Sequence, residues 1–242
     1  MALLTRRTLR QSVSISFTSL MPRDLLVDWM GVLFNARKGK ADVLLLNPLS
    51  SPETWRHFTP AEGDVVLDVG AHIGKYALVA AKRVGATGKV IAIEAHPDNY
   101  RALLNNIRLN GLENVVAVNA AAHSEDGGTL RLFGQWDTAY TVKAWHPTYV
   151  KVSARSVDSI AREYDIGSAD WVKIDVEGAE VEALSGMPGL LRTSPNLRVV
   201  IEVSRGNEPE IDRMLDGFEK KTLGRVDVLY RKRSQHQRRW PK

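Results

Sequence analysis

"DVVLDVGAHIGKYALVAAKRVG", residues 64–85, decides the fold. It opens as an unbroken apolar run, "DVVLDV" (64–69), and passes through a turn bracketed by Gly70 and Gly74. It continues as "GKYALVAAKRVG" (74–85), whose apolar residues recur at helical spacing as far as Gly85. A short, continuous run rich in β-branched residues suits a strand buried on both faces, the kind found in parallel sheets covered by helices. The alternation repeats further along. "KVIAIEA" (89–95) reads as a strand, and "PDNYRALLNNIRLNG" (97–111) as a helix with Pro97 in its first turn and Gly111 as its stop. "VVAVNA" (115–120) is a third strand. "DWVKIDV" (170–176), a helix in "AEVEALSGM" (179–187) and the strand "LRVVIEVS" (197–204) follow. The expectation is an α/β, doubly wound, mostly parallel sheet with helices on both faces.

Two stretches break the alternation. Residues 129–153 read as a hairpin-like insertion, "TLRLF" and "VKVSA" flanking the aromatic-rich "GQWDTAYTVKAWHPTY". The segment "EKKTLGRVDVLYRK" (219–232) holds two strand-like runs turning at Gly224, a C-terminal antiparallel pair that is unusual for a plain dinucleotide-binding domain. The chain is thus expected to divide into an N-terminal arm (1–52), a main domain (53–230) carrying the 129–153 insertion, and a basic tail (231–242).

Composition narrows the function classes. The 242 residues, 44% hydrophobic and 25% charged, suffice for one full core. No cysteine is present, which excludes disulfides, thiolate metal ligands and a cysteine nucleophile and suits a reducing compartment; a cytoplasmic location is expected. No stretch of eighteen apolar residues offers a membrane span. The net charge of +5 belongs to the ends: residues 1–23 hold four arginines and residues 231–242 six basic residues, without an acid in either, while 24–230 holds 23 basic against 28 acidic residues. The first twenty residues carry Arg and Ser without acid, as transit peptides do, but also read as an ordinary arm. A basic tail attracts nucleic acid or acidic partners, or is simply solvated.

In an open α/β sheet, ligands lie beyond the carboxyl ends of the strands. There, Asp68-Val-Gly-Ala-His-Ile-Gly74 offers two glycines for close backbone approach and free N–H groups at a helix start. Its spacing is neither the dinucleotide G-x-G-x-x-G nor a phosphate-binding loop. Asp68 is placed to orient the turn and face a ligand amino group. His72 has two readings, ligand contact or turn packing. Glu94, followed by Ala95, ends the second strand, where a carboxylate can accept both ribose hydroxyls. Asn119, Ala120 and Ala121 end the third, small enough for an adenine ring to lie flat. The constellation matches S-adenosylmethionine better than NAD.

These segments, together with "LLNNIRLN", "NAAAHSEDG", "VDSI" and "KIDVEGAE" (173–180) in that order, resemble the FkbM family of S-adenosylmethionine-dependent methyltransferases over about residues 53 to 203. The resemblance implies a class I methyltransferase (Rossmann-like) fold and methylation of a hydroxyl on a small molecule or sugar. It carries over Asp68, Gly70, Gly74, Glu94 and Ala120 as cofactor contacts. Ala95 stands where the family often has proline, a departure that touches the loop more than the carboxylate.

"KIDVEGAE" supplies the acids for chemistry. The fourth strand should deliver Asp175 to the rim, where a carboxylate can take the acceptor's proton; Glu177 is a second candidate. Glu177 and Glu180 also fit the first turn of the next helix, where acids favour the positive end of the dipole. Asp175, Glu177 and Glu202 together offer oxygen ligands to Mg²⁺ or Ca²⁺, but no His/Cys ligand spacing accompanies them, and no metal is expected. Of the six scattered histidines, His146 is the alternative base, with Trp136, Tyr140, Trp145 and Tyr149 as an acceptor lid. The competing activity is RNA methylation using the basic termini; against it, Asp175-Val-Glu-Gly replaces the [ND]-P-P-[YF] of base-amine methylases.

Overall fold

The computed structural model describes residues 20, 23–47, 51–133, 149–203 and 206–233. The chain starts with a hairpin of β1 (Leu25–Trp29) and β2 (Val32–Ala36), then two short helices, α1 (Asp42–Leu45) and α2 (Pro52–His57). The alternating core follows: β3 (Val65–Val69), α3 (Lys75–Val84), β4 (Lys89–Ile93), α4 (Pro97–Leu109) and β5 (Val115–Val118). β6 (Ala121–Ala122), β7 (Thr129–Phe133), β8 (Tyr149–Arg155) and α5 (Val157–Glu163) lead to β9 (Trp171–Ile174). The remaining elements are α6 (Glu180–Ser185), α7 (Pro188–Thr193), β10 (Arg198–Glu202), α8 (Glu208–Met214), β11 (Phe218–Thr222) and β12 (Asp227–Lys232).

Seven strands form the main sheet in the order β11-β12-β10-β9-β3-β4-β5. β10, β9, β3, β4 and β5 run parallel, and β12 is antiparallel to both β10 and β11, as the closing strand pair implied. The order reverses between β3 and β9, which makes their carboxyl ends the switch point where ligands bind. Strand residues alternate between two apolar layers. Leu67, Ile91, Val172 and Val199 meet α5, α6, α7 and α8 on one face. Val66, Val90, Trp171 and Val200 meet α3 and α4 on the other.

The second layer also takes in Trp29, Val32, Phe34 and Ala36, so the β1–β2 hairpin packs into the same core as the sheet. Its backbone is fastened by two asparagines four residues apart, Asn106 in the last turn of α4 and Asn110 at its C-terminal cap, hence on one side of the helix. Asn106 Oδ1 accepts from Asn35 N at 2.8 Å, and Asn110 Oδ1 accepts from Leu33 N at 2.9 Å. The amide nitrogen of Asn106 then donates to Ile73 O at 3.0 Å, tying the hairpin to the glycine turn. β7 and β8 pair antiparallel, giving the 129–153 insertion its expected hairpin strands, and β8 also pairs with β6. Residues 134–148 between them lie outside the described residues.

The tail begins later than position 231, because β12 runs through Lys232. The Lys232 ammonium donates to Leu191 O (2.6 Å), Arg192 O (3.0 Å) and Ser194 O (2.9 Å), closing the carbonyl end of α7. Charge at this position serves a helix terminus. Among the described residues, no helix is long and apolar enough to cross a membrane.

Candidate active site

Gly70 needs to be glycine for a reason internal to the sheet. A Cβ there would sit 1.9 Å from the Asp175 carbonyl oxygen, so the backbones leaving β3 and β9 cross where only a hydrogen fits. Its φ of +87° adds a second reason. A Cβ on Gly74 would meet Leu78 at 2.3 Å and Leu103 at 2.8 Å, which makes this glycine a packing residue between α3 and α4. Asp68 lies below the turn, 2% exposed, its Oδ2 accepting from Ala77 N at 2.8 Å. Burial pushes its carboxyl up to about 7. Neither Asp68 nor Gly74 lines the cleft at the strand ends.

The cleft is lined by Gly70, His72, Glu94, Ala95, Ala120, Ala121, Asp175 and Glu177, with Leu45, His96 and Asn99 on one side. Glu94 is 7% exposed and held at both oxygens: Oε2 accepts from His72 N and Oε1 from His96 N, each at 2.8 Å. The positive φ of His72 (52°) turns its amide toward that carboxylate. Burial pushes Glu94 up to about 6 against the pull of these two donors. Asn119 stands beside the cleft and donates to Glu94 O (2.8 Å) and Ala95 O (3.0 Å), bracing the loop after β4. The His72 imidazole lines the cleft with neither ring nitrogen hydrogen-bonded, its Nε2 4.0 Å from Asp42 Oδ1. Burial pulls it down to about 4, so it is neutral at physiological pH.

Across the switch point the charges answer one another. Lys173, 1% exposed in the middle of a buried strand, sends its ammonium to 3.4 Å from Asp175 Oδ2 and 3.9 Å from Asp227 Oδ1. Burial opposes its charge, yet Asp175 and Asp227 together hold its pKa above the ordinary lysine value. Lys173 is therefore the positive group that faces Asp175, the first acid of "KIDVEGAE". The Asp175 charge, with burial, pushes Glu202 up to about 8. Asp227 is anchored by Thr54 Oγ1 at 2.6 Å. Lys75, lowered to about 8 by burial and by Lys173, lies over Trp29, Trp55 and Tyr76, with centroids at 5.5, 5.7 and 5.5 Å.

One expectation for the acids changes. Glu177 is not in the first turn of a helix: α6 starts at Glu180, and Glu177 precedes it in a left-handed conformation (φ 54°) on the cleft wall. Glu180 is 1% exposed and clamps the turn, Oε1 accepting from Gly178 N (2.7 Å) and Oε2 from Asn207 Nδ2 (2.6 Å). His146, Trp136, Tyr140 and Trp145 lie outside the described residues; Tyr149 is 44% exposed at the start of β8. Among the described residues, no cluster of three His, Cys, Asp or Glu side chains is placed to hold a metal ion. Lys173, Lys75 and Asp227, whose charges lie beneath the cleft and act on Asp175, were missed by the sequence reading. The available signal was an unpaired-looking lysine inside the apolar run "WVKI".

The sequence matches the Methyltransferase FkbM domain over residues 68–225. The chain belongs to the FkbM methyltransferase family. A curated relative, the hexuronic acid methyltransferase AglP of Haloferax volcanii, is 29% identical over 150 residues, covering 62% of this chain and 59% of its own length. The chain thus spans less than two thirds of that relative. Among solved structures, the putative transferase PH0793 of Pyrococcus horikoshii superposes with a TM-score of 0.53 at 17% identity, over 87% of this chain and 71% of that one. A precorrin-6y C5,15-methyltransferase from Geobacter metallireducens gives 0.50 at 14% identity, over 76% and 88%. This member of the FkbM methyltransferase family has the Rossmann-like fold of the S-adenosylmethionine-dependent enzymes.

Proposed function

We propose that this enzyme transfers a methyl group from S-adenosylmethionine to a sugar hydroxyl, with Asp175 accepting the hydroxyl proton. The observation that carries the reading is one cleft holding two differently supported carboxylates. Glu94 is fixed by backbone amides on the β4 side, and Asp175 is paired with Lys173 on the β9 side.

The residues present suit the cofactor. Of the roughly four acceptor sites on the Glu94 carboxylate, His72, His96 and Asn99 use three, and the one left open to the cleft fits the edge of the ribose diol. Ala120 and Ala121 supply the flat apolar wall suited to a purine ring. When bound, the cofactor supplies a methyl group on a sulfonium, open to in-line displacement. Asp175 would hold the acceptor hydroxyl and take its proton as the new C–O bond forms, and Lys173 would hold the carboxylate in place. Positioning and proton removal are the contributions such residues make, together worth several orders of magnitude in rate. A sugar acceptor agrees with the relative that acts on a hexuronic acid.

The test is transfer of a labelled methyl group to hexose, hexuronate and RNA acceptors side by side. Label on the sugars that disappears in Asp175→Asn is the expected result. Label on RNA alone would overturn the sugar reading, and undiminished transfer by the variant would remove Asp175 from the chemistry.

A further inference from the structure

The N-terminal hairpin reaches the cofactor side of the cleft through a continuous chain of polar side chains. Arg37, just after β2, is held on Asp42, a fully buried carboxylate: Nε donates to Oδ2 at 2.7 Å and Nη2 to Oδ1 at 2.9 Å. The Arg37 backbone N–H donates to the same Oδ2 at 2.9 Å. The guanidinium then leaves the arm. Nη1 donates to Asp98 O at 3.0 Å, and Nη2 to Asn99 Oδ1 at 2.9 Å, both in the first turn of α4. Asn99 is 3% exposed and lines the cleft, and its side chain hydrogen-bonds the Glu94 carboxyl. With its oxygen engaged by Arg37, the Asn99 amide can only present its NH₂ to Glu94. Arg37 therefore fixes which way Asn99 points, and Asn99 joins the His72 and His96 amides in holding the Glu94 carboxyl. Leu45, one helix further along the arm, walls the same cleft.

We infer that the arm is a working part of the ribose end of the cofactor site, with Arg37 and Asn99 as positioning residues that aim Glu94. This rests on the ribose reading of Glu94 given above. A planar, five-donor guanidinium can serve Asp42, Asp98 and Asn99 at once; a lysine ammonium at the same position cannot reproduce that fork.

The experiment measures Kd by calorimetry for S-adenosylhomocysteine and for its 2′,3′-dideoxyribose analogue, which lacks the hydroxyls Glu94 would bind. The ratio of the two affinities reports on Glu94 aim, which a general loosening of the fold would leave unchanged. Glu94→Ala is expected to abolish the preference for the hydroxylated ligand. Asn99→Ala and Arg37→Lys are each expected to shrink it about tenfold, the value of roughly one hydrogen bond to a charged group. Their affinity for the dideoxy analogue should stay within about threefold of wild type. Asn99→Ala leaves the Arg37–Asp42 pair intact, so it keeps the test in force if Arg37→Lys fails to fold. A preference lost in Glu94→Ala but kept in full by Asn99→Ala overturns the relay and leaves the ribose reading standing. Equal weakening of both ligands by the positioning variants also overturns it. A preference that survives Glu94→Ala removes the ribose reading, and the relay with it.

Discussion

The two sides of the switch point hold their carboxylates by different means. On the β4 side, Glu94 is gripped by the amides of His72 and His96, and Asn119 braces the loop that carries it. The His72 and His96 partners are backbone groups and those of Asn99 and Asn119 are side-chain amides, none of which titrates. On the β9 side, Asp175 is held by Lys173, which also answers Asp227, and the Asp175 charge shifts Glu202. Here the partners are ionisable side chains whose states depend on one another. The first arrangement suits a group that binds one ligand in one pose, and the second is where the proposed reaction places its proton acceptor.

Breaking the β9 side at its centre should have the largest effect. Asp175→Asn is expected to lower methyl transfer about 10³-fold, within the range of a lost general base. Cofactor affinity should change by less than about threefold, and single-turnover kinetics beside calorimetry would show the split. A comparable loss in affinity would place Asp175 in binding, like Glu94.

The same side can be broken from beneath. Replacing Lys173 with methionine keeps an unbranched side chain one atom shorter but leaves Asp175 and Asp227 without their buried cation. Losing one partner of a buried pair costs about 3–5 kcal/mol, so thermal denaturation should fall by many degrees. Little change in Tm would mean that solvent, not Lys173, answers these acids.

The β4 side should break more simply. Glu94→Ala is expected to weaken S-adenosylmethionine about 100-fold, the value of one or two hydrogen bonds to a charged acceptor. Wild-type affinity should itself decline as pH falls through about 6, where Glu94 gains its proton and can no longer accept at all four lone pairs. A pH-independent affinity between 7 and 5 would contradict the assignment.

The same contrast explains how much was legible in the sequence. The β4 side is built from contiguous stretches, "DVGAHIG" and "IEAHPDN", whose members meet because strand, turn and helix are consecutive. Glu94 is readable there as a carboxylate at a strand end, and Ala120, on the same cleft wall, follows the next strand in "NAAAHSEDG". Gly70 was found for an incomplete reason, since its neighbour is the Asp175 carbonyl, more than a hundred residues away. The β9 side is assembled by topology. Lys173, Glu202 and Asp227 lie on three strands brought side by side only by the order β9-β10-β12, with Glu202 opposite Asp227 in register. No local spacing announces that Lys173 will be buried between two carboxylates. Arg37 was hidden for the same reason: nothing in the arm says that it will lie against α4.

The smallest effect expected is the most specific to the titratable side. Glu202 has a folded pKa of about 8 against 4.5 for an ordinary glutamate, so the folded state binds the extra proton between those values. For an acid raised in this way, the folded state bears no penalty below about pH 4.5 and the full penalty above about 8, where Glu202 must ionise beside Asp175. Stability should therefore fall as pH rises through this window. Glu202→Gln removes the titration while keeping the shape. The Tm of the variant should exceed that of wild type at pH 9 by a few degrees, and the two should converge at pH 5. A constant Tm difference across the range would mean that Glu202 ionises without opposition, and the two sides of the cleft would then differ in geometry alone.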